Sequence, residues 1–353
     1  MRVSFSSVLK GLIAVVALAG IAIGLYAAHS KLPGLLQELA SPGKQASVTP
    51  GQEVIVAIPK GASLSQVGSI LQEQGVISSR FVFKLVALIR GEQRKIKAGD
   101  YALKAGSDAG LVLDQLISGK TLMVTFTVPE GYNIYQVAGL LEKQGIISAD
   151  EFLNTARDKA FLKELGIEGP SLEGYLFPDT YQFRYSEARD HKLIVRKMVQ
   201  RFYQVYDEHV RPIADKYGWT TNQVVTLASL IEKEATASEH GLVSAVFHNR
   251  LRLNMRLQSD PTAIYGIKPM GAKITREDLD RKQPYNTYQV SGLPPGPIAN
   301  PGKASLVAAV KPDEVDFLYF VARNDGTHQF SPTLKEHNHW INVYQRGSRA
   351  EKQ

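Results

Sequence analysis

The chain has 353 residues, 44% of them hydrophobic and 21% charged, with a formal net charge of +7. That balance excludes a disordered or fibrous chain, and the length allows two or three folded units. There is no cysteine, which removes disulfides, zinc–thiolate sites and cysteine nucleophiles together. The positive charge favours an anionic surface, such as a lipid leaflet or an acidic polymer. Lys and Arg are spread among Asp and Glu with no basic stripe, so nucleic acid is not an expected partner.

After a short tail (residues 1–10) carrying Arg2 and Lys10, residues 11–28 are uncharged and mostly apolar. A run of roughly 18 such residues is enough for a helix across the hydrocarbon layer. The expectation is a transmembrane helix, a single-pass anchor with the rest of the chain outside. The alternative is a cleaved signal peptide, although Leu25-Tyr26-Ala27-Ala28-His29 lacks a small-x-small cleavage pattern. Residues 29–52 read as a linker, rich in Pro, Gly and Ser from Ser41 onward.

An internal repeat follows. Ile58-Pro59-Lys60-Gly61 opens a segment ending at Gly75-Val76-Ile77-Ser78, and Val128-Pro129-Glu130-Gly131 opens another ending at Gly145-Ile146-Ile147-Ser148. Gln66, Val67, Leu71 and Gln74 match Gln136, Val137, Leu141 and Gln144. Each copy predicts a short strand, a Pro/Gly turn and an amphipathic helix. The first copy resembles a LysM-type glycan-binding unit; a duplicated packing unit is the other reading. Residues 53–148 are therefore expected to form a small α/β module, LysM-like in pattern.

Residues 149–345 change character and predict a mixed α+β catalytic domain, which makes the whole chain α+β. Ser148 and Glu151 have the spacing of a capping box, as do Thr236 and Glu239. Ile194, Met198, Phe202 and Val205 mark one face of a helix starting near Asp190. Val224, Leu227, Ala228, Leu230 and Ile231 mark another. A strand is expected over Phe317–Ala322.

Nucleophile elbows, phosphate-binding loops and dinucleotide fingerprints are absent, and the histidines include no metal-protease motif. His337 and His339 read as surface residues, so neither a metal nor a cofactor is expected. Glu234 lies four residues after Leu230, three after Ile231 and seven after Leu227. On a helix its carboxyl leaves beside an apolar stripe near the C-terminal end. Burial and the helix dipole there both disfavour the charged form, which suits a general acid. Glu232 is a rival, seven after Val225 and four after Ala228, and the spacing separates the two only slightly.

Several longer stretches occur in one order: Leu172-Glu173-Gly174-Tyr175-Leu176-Phe177-Pro178-Asp179-Thr180-Tyr181; Ala228 to Glu234; Phe247-His248-Asn249-Arg250-Leu251; Arg256 to Thr262; Tyr285-Asn286-Thr287-Tyr288; and Gly292 to Ile298. With these the chain resembles the MltG (YceG-like) family of endolytic murein transglycosylases. The resemblance implies that the second glutamate of Glu232-Lys233-Glu234 is catalytic. Many lytic transglycosylases follow that glutamate with Ser or Thr; here Ala235 stands, so position 235 carries no assigned role. It further implies a bacterial inner-membrane enzyme, catalytic domain on the periplasmic side, that cuts nascent peptidoglycan strands and works among wall-synthesis proteins. Gln258, Asp260, Thr262, Tyr285, Asn286, Thr287, Tyr288 and Asn300 are candidates to line its cleft, since amides, hydroxyls and tyrosine faces suit N-acetylated sugars. The rivals are a non-catalytic, membrane-anchored glycan-binding scaffold and a soluble lyase of the aminodeoxychorismate type. The latter needs a pyridoxal-phosphate lysine, for which the sequence offers no context.

Overall fold

The computed structural model describes residues 48–346 except residue 237. The expected anchor at residues 11–28 and most of the linker lie outside the described residues. Among the described residues no helix is long and apolar enough to cross a membrane. The architecture is mixed α+β, with helices around three two-stranded sheets.

The chain divides into two compact units after Met123. In the first unit, β1 (Glu53–Ile58) pairs antiparallel with β2 (Gly99–Lys104), with Val56 opposite Tyr101. Helices α1 (Leu64–Glu73), α2 (Arg80–Ile89) and α3 (Ala109–Ser118) complete it. Its core gathers Val56, Ile58, Val67, Leu71, Phe83, Tyr101 and Leu113.

The second unit opens on β3 (Met123–Thr127) and α4 (Ile134–Lys143), the second copy of the repeat. The copies share more than sequence. Ser63 and Gln66 close a reciprocal cap on α1, and Asn133 and Gln136 close the same cap on α4. Sequence similarity groups both copies in one module ending at 148, but the division falls after Met123. The physical reason is that β3 pairs with β4 (Thr180–Arg184), more than fifty residues downstream, where the Thr127 and Thr180 hydroxyls are hydrogen-bonded at 2.8 Å.

Short helices α5 (Ala149–Thr155) and α6 (Lys159–Glu164) follow. Ser148 caps α5 as expected, but Glu151 completes no box and instead pairs with His191 at 2.9 Å. Asp190 caps the long α7 (His191–His209), which buries Ile194, Met198, Phe202 and Val205; α8 (Arg211–Tyr217) follows. The centre of the unit is α9 (Thr221–Glu234), packed against α10 (His240–Arg252) and α13 (Lys303–Val310). The short helices α11 (Asp260–Ile264) and α12 (Arg276–Asp280) lie between them in sequence. A last hairpin, β5 (Tyr319–Ala322) with β6 (His328–Ser331), leads to α14 (Leu334–Ile341).

The Thr236–Glu239 capping box does not form as predicted. Glu239 is itself the residue before α10 and makes no capping bond, because its carboxylate is taken by His328 and Thr236.

Gly174 shows why the Leu172–Tyr181 stretch tolerates no side chain at its turn. Its φ is +87°, and an added Cβ would lie 2.5 Å from Val225 Cγ1 of α9 and 2.6 Å from Pro297 Cγ. Gly174→Ala is therefore expected to lower stability by about 2–4 kcal/mol, from overpacking and a left-handed backbone together. Chemical denaturation reads this directly, and a wild-type midpoint would contradict the close approach.

Candidate active site

Helix α9 is opened by Thr220 and Gln223 in a reciprocal cap, and every residue from Val224 to Ile231 is buried. The helix therefore runs through the core and delivers its C-terminal end to a cavity of about 360 Å³. Its last residue is Glu234, where the chain turns extended at Ala235.

Glu234 is half-buried, and its Oε1 accepts a 2.6 Å hydrogen bond from Ser259 Oγ. Burial pushes this carboxyl up to about 7, and the neighbouring Asp260 charge pushes the same way. The Ser259 hydroxyl, the Asp260 backbone amide and the Arg250 guanidinium pull it down without restoring an ordinary value. A carboxyl balanced near neutrality and open to a cavity can both give and take a proton. Replacing Asp260 by Asn removes one raising charge. The alkaline limb of the pH–rate profile is expected to move to lower pH in Asp260→Asn, and an unmoved limb would contradict the coupling.

Two other carboxyls are excluded by their partners. Glu232 accepts from Gly302 N–H at 3.0 Å and Ser305 Oγ at 2.7 Å, so it serves the N-terminus of α13. Glu173 is raised by burial to about 8, but it is 2% exposed and faces the Ile134 amide and the Tyr265 hydroxyl rather than a cavity. Lys233 points away from Glu234 and donates to the Gly131 carbonyl at 3.3 Å.

Of the residues named from sequence, Gln258, Asp260 and Tyr288 line the cavity with Glu234. Tyr288 donates to Asp260 Oδ1 at 2.5 Å. Gln258 holds a φ of +51°, a strained conformation for a residue with a side chain, immediately beside Ser259. The others lie elsewhere. Thr262, Asn286, Thr287 and Asn300 are fully buried, so they offer no face to a ligand. Thr287 Oγ1 accepts from Ser259 N–H at 2.9 Å, and Thr262 donates to the Ser259 carbonyl at 2.5 Å. These two hydroxyls fix the loop that holds Ser259 against Glu234. Asn286 donates to the carbonyls of Asp278, Leu279 and Arg281. Tyr285 packs its ring 4.8 Å from that of Tyr265, away from Glu234.

Further polar residues reach the site beside the apolar Phe320, Val321, Ala322 and Ile341. Ser259 bonds the carboxyl, and its only sequence signal is its place between Gln258 and Asp260. Arg250, 7% exposed, donates to the Leu318 and Leu257 carbonyls at 2.7 Å and places its cation over the Tyr319 ring. His328 and His337 also line the cavity. His337 is half-buried: it stacks on Tyr319, and its Nδ1 is buried without a partner among the described residues. His339 is exposed, as expected.

Fold and site together set one raised carboxyl at the end of a buried helix, facing a cavity. Residues 56–343 match the model of the YceG-like family. A Bacillus subtilis (strain 168) endolytic murein transglycosylase is 36% identical over 304 residues, covering 81% of this chain and 83% of that protein. A Streptococcus pneumoniae (strain D39) protein of the same name is 29% identical over 305 residues, 76% of this chain and 54% of its own length. The chain thus spans about half the length of that streptococcal relative. A crystal structure of a YceG-like protein from Listeria monocytogenes shares 33% identity at a TM-score of 0.57, covering 82% of this chain and 99% of that one. The chain belongs to the YceG-like family.

Proposed function

We propose that this chain is a lytic transglycosylase, the enzyme class of its curated relatives, and that it cuts peptidoglycan glycan strands internally with Glu234 as acid and then base. The observation that carries the reading is the Glu234 carboxyl, raised to about 7 by burial, bonded to Ser259 and open to the cavity. Glu234 protonates the glycosidic oxygen between MurNAc and GlcNAc. The C6 hydroxyl of the same MurNAc then attacks its anomeric carbon, and Glu234 takes that hydroxyl's proton, leaving a 1,6-anhydro end. A nucleophile supplied within the substrate reaches an effective molarity on the order of 10⁵–10⁸ M when aligned, so no second carboxylate is required. Exposed Gln258 and the Tyr288–Asp260 pair are the polar groups placed to meet sugar hydroxyls.

The apolar run at residues 11–28 supports anchoring in the bacterial inner membrane, with both units on the periplasmic side and nascent strands, made beside wall-synthesis proteins, as substrate. The first unit carries an open depression of about 440 Å³ over the Pro59–Gly61 turn and one face of α1 from Ser65 to Glu73. It holds no buried titratable group, which suits glycan binding in the LysM manner rather than catalysis.

The test is digestion of purified peptidoglycan by the protein, wild type beside Glu234→Gln, with mass spectrometry of the soluble fragments. Anhydro-muropeptides from wild type and almost none from the variant are expected. Equal product from both would remove Glu234 from the mechanism, and no product from either folded protein would favour the glycan-binding scaffold.

A further inference from the structure

His328 opens β6 opposite Ala322 of β5 and lines the cavity into which Glu234 faces. Its ring meets Phe320 edge-on at 5.3 Å. Its backbone N–H donates to Glu239 Oε1 at 2.8 Å, and its Nδ1 lies 2.8 Å from Glu239 Oε2. The same carboxylate accepts from Thr236 Oγ1 at 2.7 Å and is 7% exposed. Burial pushes Glu239 up, but the His328 ring and backbone bonds and the Thr236 hydroxyl outweigh it and hold the carboxyl below its ordinary range. Glu239 thus stays ionised and accepts only, so the hydrogen of a neutral His328 ring sits on Nδ1. When the ring carries that one hydrogen, Nε2 keeps a lone pair; it has no protein partner among the described residues and is not buried. This is the arrangement in which an outer carboxylate sets the tautomer of a working imidazole.

We propose that His328, oriented by Glu239, is a second substrate-contacting residue of this site, and that its Nε2 accepts a hydrogen bond from the attacking C6 hydroxyl of the reacting sugar. The inference rests on the transglycosylase reading above and adds a residue to it. In the step concerned, the bond from C6 oxygen to C1 forms as the bond from C1 to the leaving oxygen breaks. The leaving oxygen takes the proton of Glu234; the single hydrogen of the C6 hydroxyl rests on His328 Nε2 while Glu234 is still protonated, and passes to the ionised Glu234 as the C6 oxygen bonds to C1. His328 undergoes no net change; it aims the oxygen. Glu239 is a positioning residue, acting through the ring.

Two substitutions separate this role from a structural one. In His328→Asn the side-chain amide takes the place of Nδ1 on Glu239, while the atom facing the cavity is lost. In Glu239→Gln the ring remains, but the amide favours the tautomer with hydrogen on Nε2, turning the acceptor into a donor. The full-length protein is assayed on purified peptidoglycan as wild type, Glu234→Gln, His328→Asn and Glu239→Gln, with melting temperatures measured alongside. Both new variants are expected to melt near wild type and to lose on the order of 10–100-fold in kcat with KM little changed. Among their remaining products, hydrolysed reducing ends should rise relative to anhydro ends, because a misaimed C6 hydroxyl competes less well with water. If His328→Asn melts early, His328→Gln, which sets an acceptor where Nε2 stood, takes its place with activity recovered above Glu239→Gln. Folded variants with wild-type kcat and product ratio, beside an inactive Glu234→Gln, overturn the role of His328 and leave the acid–base reading standing. An active Glu234→Gln overturns that reading itself.

Discussion

Glu234→Gln is expected to slow glycan cleavage by roughly 10²–10⁴-fold, the usual worth of a general acid–base group. Gln keeps the size of the side chain and can still accept from Ser259 Oγ, so the loss is chemical rather than structural. The pH dependence has a definite sign. The free enzyme must start protonated, and burial raises this carboxyl to about 7. Activity should therefore fall about tenfold per pH unit above that value. Stability follows the same group. Its folded value lies above the ordinary 4.5, so its contribution is complete below that value and is lost as pH rises through about 7. Wild type should lose stability over that window, and Glu234→Gln should lose less of it, the raised Glu173 carboxyl keeping its own share. A variant less stable than wild type at pH 8 would contradict the desolvation argument.

Asn300→Ala is expected to cost about 3–5 kcal/mol in stability and roughly 10 °C in melting temperature. Asn300 Oδ1 accepts from the Gly174 and Leu176 amides at 2.9 and 3.0 Å, and its Nδ2 donates to the Tyr132 carbonyl at 2.8 Å. It thereby ties the turn around Gly174 to the start of the second repeat copy. Alanine would leave the Gly174 and Leu176 amides buried with nothing to meet them, while the Tyr132 carbonyl keeps the backbone N–H of residue 300 at 2.9 Å. Below its melting transition this variant should keep the wild-type pH profile, because Asn300 does not touch Glu234. A shifted profile with unchanged melting would instead mark Asn300 as part of the cleft.

The contrast between these two residues shows how far the sequence could be read. The helix that carries Glu234 was legible, because its apolar spacing and its end are local. The choice between Glu232 and Glu234 was not. It depends on the N-terminus of α13, about seventy residues downstream, which engages Glu232 and leaves Glu234 to the cavity. The cleft candidates rest on residue type, as amides and hydroxyls suited to sugars. The same atoms suit backbone groups, and Thr262, Thr287, Asn286 and Asn300 spend them there. Spacing alone cannot tell a sugar hydroxyl from a peptide carbonyl. The repeat was plain in sequence, yet its second copy joins the larger unit through the pairing of β3 with β4, a contact of long range. His328 and Glu239 were missed for the same reason, being 89 residues apart.

The most direct test of the central claim, a single carboxyl with the substrate's own hydroxyl as nucleophile, is digestion of peptidoglycan in heavy-oxygen water. Each new saccharide end is then weighed. If Glu234 passes its proton to the leaving oxygen and recovers one from C6, no water enters the product, and the anhydro ends carry no heavy oxygen. Heavy oxygen at the anomeric carbon of the new ends would mean hydrolysis and a water-activating base that this account does not contain.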